Sequence, residues 1–158
     1  DIVMAKMLEN NNLQGKIHTL DIIPHNTPEF SNCLKAAQLK EKISREKCLE
    51  EWKNLCDKYI IFHVGDSNKI LEKLNLERIH FAFLDGHHDY NYVKNELNYV
   101  RDKQKSGDII VCDDYTKTQC PEICKAVDEF LSQKLYDYKI FYGDDGTKKR
   151  GYVYMVKI

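Results

Sequence analysis

Apolar positions along this chain switch between two periods. Ile2, Val3, Met4, Met7 and Leu8 have helical spacing, so the chain opens on an amphipathic helix, with Gly15 placed to stop it. A short strand is predicted over residues 16–23, then a loop between Pro24 and Pro28. Residues 31–58 are polar and helical in type, with a broken apolar stripe at Leu34, Ala37, Ile43, Leu49, Trp52 and Leu55. Continuous apolar runs at 59–64, 79–84 and 108–112 read as buried strands, since they have strand length and are apolar toward both faces. A short helix is predicted over 68–75, and a longer one over 90–105 with Val93, Leu97 and Val100 on one face. Pro121 suits a helix's first turn and opens a helix to about residue 133. Two strands, near 138–142 and 152–158, flank the turn-rich Gly143-Asp-Asp-Gly146.

Helices alternating with apolar strands predict an α/β fold: a Rossmann-like, mostly parallel sheet with helices on both faces, closed by an antiparallel strand pair. The expected organisation is one domain over residues 1–158, with a helical insertion at about 31–58. A domain of this class rarely opens on a helix with no strand before it. The first strand is therefore expected to lie upstream of Asp1.

Composition narrows the function classes. Lys and Arg total 24 against 25 for Asp and Glu, for a net charge of −1, so no basic excess points to nucleic acid. Apolar runs are strand-sized, which argues against a membrane partner, and no leader is evident. Of the six cysteines, at positions 33, 48, 56, 112, 120 and 124, only Cys120 and Cys124 lie close together. Reduced thiols in a cytoplasmic protein are expected, rather than disulfides or zinc.

The chemistry gathers where strands end. Asp21, Asp66, Asp85 and the pair Asp113-Asp114 each follow a predicted strand. In a parallel sheet those ends share one edge, where open α/β sheets bind ligands. Crowded carboxylates repel unless hydroxyls, backbone N–H groups or a cation relieve them. Asp21 is placed to accept the hydroxyls of a ribose. Asp85, Asp113 and Asp114 could supply oxygen ligands to a hard divalent cation. Asp66 is equally readable as a helix cap, and Asp89 is read as one. His18, His63 and His80 fall inside strands and read as half-buried structural residues. His87 and His88 sit in a glycine-containing turn at the active edge, where an imidazole could remove a hydroxyl proton. Tyr90, Tyr92 and Tyr99 read as helix packing.

Phe83-Leu-Asp-Gly-His-His-Asp-Tyr90, followed by a helix and Ser106-Gly-Asp-Ile-Ile-Val-Cys-Asp-Asp-Tyr115, resembles the small class I methyltransferases related to macrocin O-methyltransferase and cephalosporin-hydroxylase-like proteins. Gly65-Asp66-Ser67 adds to the likeness, which runs from about Lys16 to the C-terminus. The resemblance implies S-adenosyl-L-methionine as cofactor, with Asp21 at its ribose, Asp66 and Ser67 beside its adenine, and Asp85 also among its contacts. It implies Mg2+, or another divalent cation, on Asp85, Asp113 and Asp114, with His88 as general base. The implied reaction moves a methyl group to a hydroxyl of a small molecule. The expected partners are that acceptor and, as an open alternative, further copies of the chain. The family's glycine-rich turn after the first strand is absent, so the chain is expected to start just after it. Two other functions stay open. One is a nicotinamide-dependent oxidoreductase, against which stands the lack of a Tyr-x-x-x-Lys spacing. The other is a non-catalytic binding protein derived from a methyltransferase.

Overall fold

The structure is a computed structural model that describes residues 1–29, 38–144 and 149–158. Leu34 and Ala37 of the expected stripe, Cys33 and Gly146 lie outside the described residues. The chain divides into two compact units, Asp1–Ile70 and Leu71–Ile158.

In the first unit, α1 (Ile2–Asn10) buries Ala5 completely. It ends earlier than Gly15 would stop it. Asn12 takes the left-handed conformation at φ 52°. Its N–H bonds the carbonyl of Glu9 at 3.1 Å, and that of Leu13 bonds Leu8 at 2.9 Å. This is the two-bond cap usually built on glycine, and asparagine can take its place. Strand β1 (Ile17–Asp21) pairs in parallel with β2 (Ile60–Val64), Ile17 opposite Ile60 and Asp21 opposite Val64. Between them come α2 (Arg45–Leu49), a single 3-10 turn (Glu50–Trp52) and α3 (Lys53–Tyr59). The described part of the expected 31–58 helical stretch is thus broken into short pieces. Ser44 caps α2 by accepting the Lys47 N–H at 3.1 Å. Leu55, Cys56, Tyr59 and Ile60 form the core around Ala5. His18 and His63 stack with centroids 5.2 Å apart, their Nδ1 and Nε2 atoms at 3.0 Å. Burial, then the neighbouring His63, lowers the pKa of His18.

Helix α4 (Ser67–Leu71) crosses the boundary between the units. The second unit holds β3 (Phe81–Leu84), α5 (Tyr90–Asp102), β4 (Ile109–Cys112), α6 (Pro121–Leu131), β5 (Tyr136–Asp144) and β6 (Lys149–Lys157). Its sheet has the order β3-β4-β6-β5. The β3–β4 pair is parallel, and the β4–β6 and β6–β5 pairs are antiparallel. The closing strands run longer than expected, because pairing continues from Tyr136 opposite Lys157 to Asp144 opposite Lys149.

Apolar burial explains the layering. Val93, Leu97 and Val100 from α5 join Ile123, Val127 and Phe130 from α6 in one cluster with Ile110, Cys112, Val153 and Met155 of the sheet. Each such side chain contributes roughly 1.5–3 kcal/mol of transfer free energy when fully buried. The run at 79–84 departs from the expectation of a strand buried on both faces. Phe81 and Phe83 are exposed, while Ala82 and Leu84 pack against the core. The helices α5 and α6 cluster with one face of β3, so its side chains alternate between core and solvent. His80 is corrected similarly: it precedes β3 in a bend and is exposed.

Candidate functional site

In the first unit, β1 ends on Asp21. Its Oδ1 accepts the Ile23 N–H at 2.9 Å, and its Oδ2 accepts from the Arg45 guanidinium. Arg45 opens α2 and also lies over the Phe62 ring, 5.9 Å from its centroid. Gly65 follows β2 at φ 138°, backbone that a side chain would strain. Its N–H bonds the Asp21 carbonyl at 2.8 Å, which ties the two strand ends together. Asp66 Oδ1 accepts the Asn68 N–H at 3.0 Å. Asp66 therefore makes a cap-type bond at the start of α4, and Ser67 is the first residue of that helix.

In the second unit, Leu84 and Cys112 end β3 and β4 side by side. The Asp113 N–H bonds the Leu84 carbonyl at 3.0 Å, so the acidic pair begins next to Asp85. Asp114 then takes a left-handed backbone at φ 55°, a conformation aspartate tolerates better than most residues. Three bonds hold this turn. Asp113 Oδ1 accepts the Asp114 N–H at 2.6 Å, the Asp114 carbonyl accepts the Thr116 N–H at 2.7 Å, and the Gly151 carbonyl accepts the Tyr115 N–H at 2.8 Å. Asp113 and Asp114 are both buried.

Asp114 is the hub of the charges. Its Oδ1 lies 3.3 Å from Arg150 Nη1 and its Oδ2 lies 3.4 Å from His88 Nε2. The other ring nitrogen of His88, Nδ1, lies 3.7 Å from Cys120 Sγ. Asp85 has its pKa raised, first by the protein packed around its carboxyl, then by the charges of Asp113 and Asp114; His88 and Arg150 oppose the rise. His87 turns elsewhere. Its ring stacks on Tyr92 at 4.6 Å, and its Nδ1 accepts the Asp89 N–H at 3.2 Å. Asp89 caps α5 through the Asn91 N–H at 2.9 Å, and the tyrosines serve packing and local bonds. Tyr90 bonds Glu129 and Tyr99 bonds the Leu74 carbonyl.

The expected Asp85, Asp113, Asp114 and His88 thus meet at one end of the β3–β4 pair. Among the described residues, the ligand-type side chains whose donor atoms all come within 4.8 Å of one another are His88, Asp114 and Cys120. Asp85 and Asp113 are outside that set. Cys120, Arg150 and Arg45 were not anticipated as site residues. Cys120 had one signal, its place just before the helix-opening Pro121. The two arginines had none, because each reaches its aspartate from a distant part of the chain.

The family described as "Methyltransferase domain" matches residues 2–115. Solved structures share the fold at low identity. The O-methyltransferase NovP aligns at a TM-score of 0.68 and 19% identity, over 99% of this chain and 66% of that one. TomG from Streptomyces achromogenes, an O-methyltransferase of tomaymycin synthesis in complex with SAM, gives 0.68 and 13% over 99% and 66%. An O-methyltransferase from Bacillus cereus in complex with SAH gives 0.62 and 17% over 99% and 68%. The chain therefore spans 66% of the length of the first of these. No curated protein matches it in sequence. Among the described residues, no helix is long and apolar enough to cross a membrane.

Proposed function

The chain belongs to the methyltransferase-domain family, and from that premise we propose that it transfers a methyl group from S-adenosylmethionine to a hydroxyl of a small molecule, with a divalent cation. The observation that carries this reading is the meeting of Asp85, Asp113, Asp114 and His88 where β3 and β4 end together.

For the cofactor, the sulfonium supplies the methyl group, and the chain's part is to bind and orient. A carboxylate offers roughly four acceptor positions. At Asp21, the Ile23 N–H and Arg45 take one each, so capacity remains for ribose hydroxyls. Asp66 and Ser67 are assigned to the adenine side. Asp85 is assigned to both cofactor and metal.

For the metal, the residues that would hold it are Asp85, Asp113 and Asp114. Their fit rests on the convergence of the three carboxylates where β3 and β4 end. Burial first, and then the charges of Asp113 and Asp114, raise the pKa of Asp85, and a cation would relieve that repulsion. A hard divalent cation bound there would acidify the acceptor hydroxyl. His88 is exposed and can meet that hydroxyl from solvent. It would accept the proton, and the buried carboxylate of Asp114 beside Nε2 would stabilise the resulting imidazolium.

Titration calorimetry of the native chain with S-adenosylhomocysteine tests the reading. Binding is expected, and Asp21→Ala should weaken it by about 1–3 kcal/mol, the value of charge-assisted hydrogen bonds. An absence of binding heat by the native chain would sink the proposal. Unchanged affinity in the variant would remove Asp21 from the site.

A further inference from the structure

His88, Asp114 and Cys120 come from three different segments: the turn after β3, the turn after β4 and the residue before α6. Their donor atoms nevertheless lie within 4.8 Å of one another. The donor set is an imidazole, a carboxylate and a thiol. Zinc-type cations take nitrogen and sulfur ligands at roughly 2.0–2.3 Å, so tetrahedral ligands stand about 3.5 Å from one another. His88 Nε2 lies 3.4 Å from Asp114 Oδ2, and the opposite ring nitrogen, Nδ1, lies 3.7 Å from Cys120 Sγ. An ion takes only one ring nitrogen, so from donor atoms within 4.8 Å of one another a modest rotation of the exposed His88 ring or of Cys120 would bring the three ligands to tetrahedral spacing. The three side chains grade from exposed through intermediate to buried, which gives an ion a path from solvent and an anchored carboxylate at its end.

We infer that His88, Asp114 and Cys120 form a binding site for a borderline-soft divalent cation of the zinc type, distinct in its ligands from a hard-cation site on Asp85, Asp113 and Asp114. Thiolate and imidazole favour such cations, whereas magnesium prefers oxygen ligands alone. On binding, the Cys120 thiol releases its proton to solvent and the sulfur–metal bond forms. Three protein ligands leave a fourth position open to water or another small oxygen ligand. The two sites share Asp114, so they compete.

The inference deepens the proposed function and, in its consequence, rests on the reading of His88 as base. A cation on the imidazole occupies the lone pair that would accept the acceptor's proton, so zinc-type ions oppose the reaction that magnesium supports. The sequence argued against zinc because close ligand pairs are missing, and the fold supplies the ligands from separate turns instead.

Cobalt(II) is the probe, because a thiolate on cobalt gives an intense near-ultraviolet absorption that carboxylate and imidazole ligands do not. The full chain is titrated with cobalt chloride in the absence of cofactor, acceptor and magnesium. A saturable thiolate–cobalt band is expected, displaced by zinc. Cys120→Ser should abolish it, while Cys124→Ser should leave it intact. His88→Ala should weaken binding by more than the roughly 10–100-fold that losing a mere supporting partner costs. No band in the native chain, or a band that persists in Cys120→Ser, overturns the site. Failure of the methyl-transfer reading shows separately, as an absence of S-adenosylhomocysteine binding by calorimetry while the cobalt band remains.

Discussion

Gly151→Ala is the sharpest test of how the acidic turn is held. A Cβ built on Gly151 would stand 2.1 Å from the Tyr115 carbonyl oxygen and 2.8 Å from its carbon. Both atoms are backbone, so no side chain can swing aside. Relief requires β6 and the Asp113–Tyr115 turn to part by about 1 Å, an overpacking strain worth roughly 1–3 kcal/mol. The same movement stretches the 2.8 Å bond from the Tyr115 N–H to the Gly151 carbonyl, which adds about 1 kcal/mol. The expected loss is therefore about 2–4 kcal/mol, or roughly 4–16 °C in melting temperature for a domain of this size. Gly143→Ala is the control. It lies in β5 with nothing within 4 Å of its Cβ position, so its effect should stay within about 0.5 kcal/mol. Urea and thermal unfolding of the three proteins measure both. A Gly151→Ala chain as stable as wild type would show that the close approach of β6 to the turn is wrong. Gly151 would then not be what lets β6 hold the Asp113–Tyr115 turn in place.

Two further outcomes follow from charge. Asp108 is buried and accepts from Arg78 at 2.8 and 3.0 Å and from the Lys105 N–H at 2.7 Å. Arg78 chiefly holds its carboxyl below the usual carboxylate pKa, so the pair's stabilisation is present above the unfolded value near 4 and is lost as pH falls through the lower folded value. Arg78→Ala should destabilise the chain at neutral pH and flatten the acid limb of a stability–pH curve; an unaltered acid limb would refute the assignment. Asp85 is shifted the opposite way, with burial and the charges of Asp113 and Asp114 disfavouring its ionised form. Without divalent cations, Asp85→Asn should raise the melting temperature by about 1–3 °C, and a fall in calorimetry would contradict the crowding.

The fold was legible where local pattern and tertiary packing agree. The apolar stripe at Val93, Leu97 and Val100 marks the face of α5 that enters the core. Pro121 marks the start of α6. Pattern misled where helix packing on one face decides exposure. The run at 79–84 is apolar on both sides, yet α5 and α6 cluster with the face that carries Ala82 and Leu84, and Phe81 and Phe83 on the other face are exposed. Helix ends were misread where asparagine does the work of glycine, as at Asn12.

At the site, the sequence shows which residues end strands, because strand ends are local. It does not show what each carboxylate meets, because partners arrive from elsewhere. Asp21 meets Arg45, 24 residues on, and Asp114 meets Arg150, 36 residues on. This changes the chemistry inferred from an acidic cluster. Three carboxylates read alone could supply oxygen ligands to a hard cation. The same carboxylates beside an arginine already have part of their charge offset, and Asp114 turns its second oxygen toward an imidazole whose far nitrogen faces a thiol. On the zinc-type inference, ligand hardness at this edge would be set by Cys120 as much as by the aspartates. If both proposals hold, the identity of the cation bound there would decide whether His88 is available as a base.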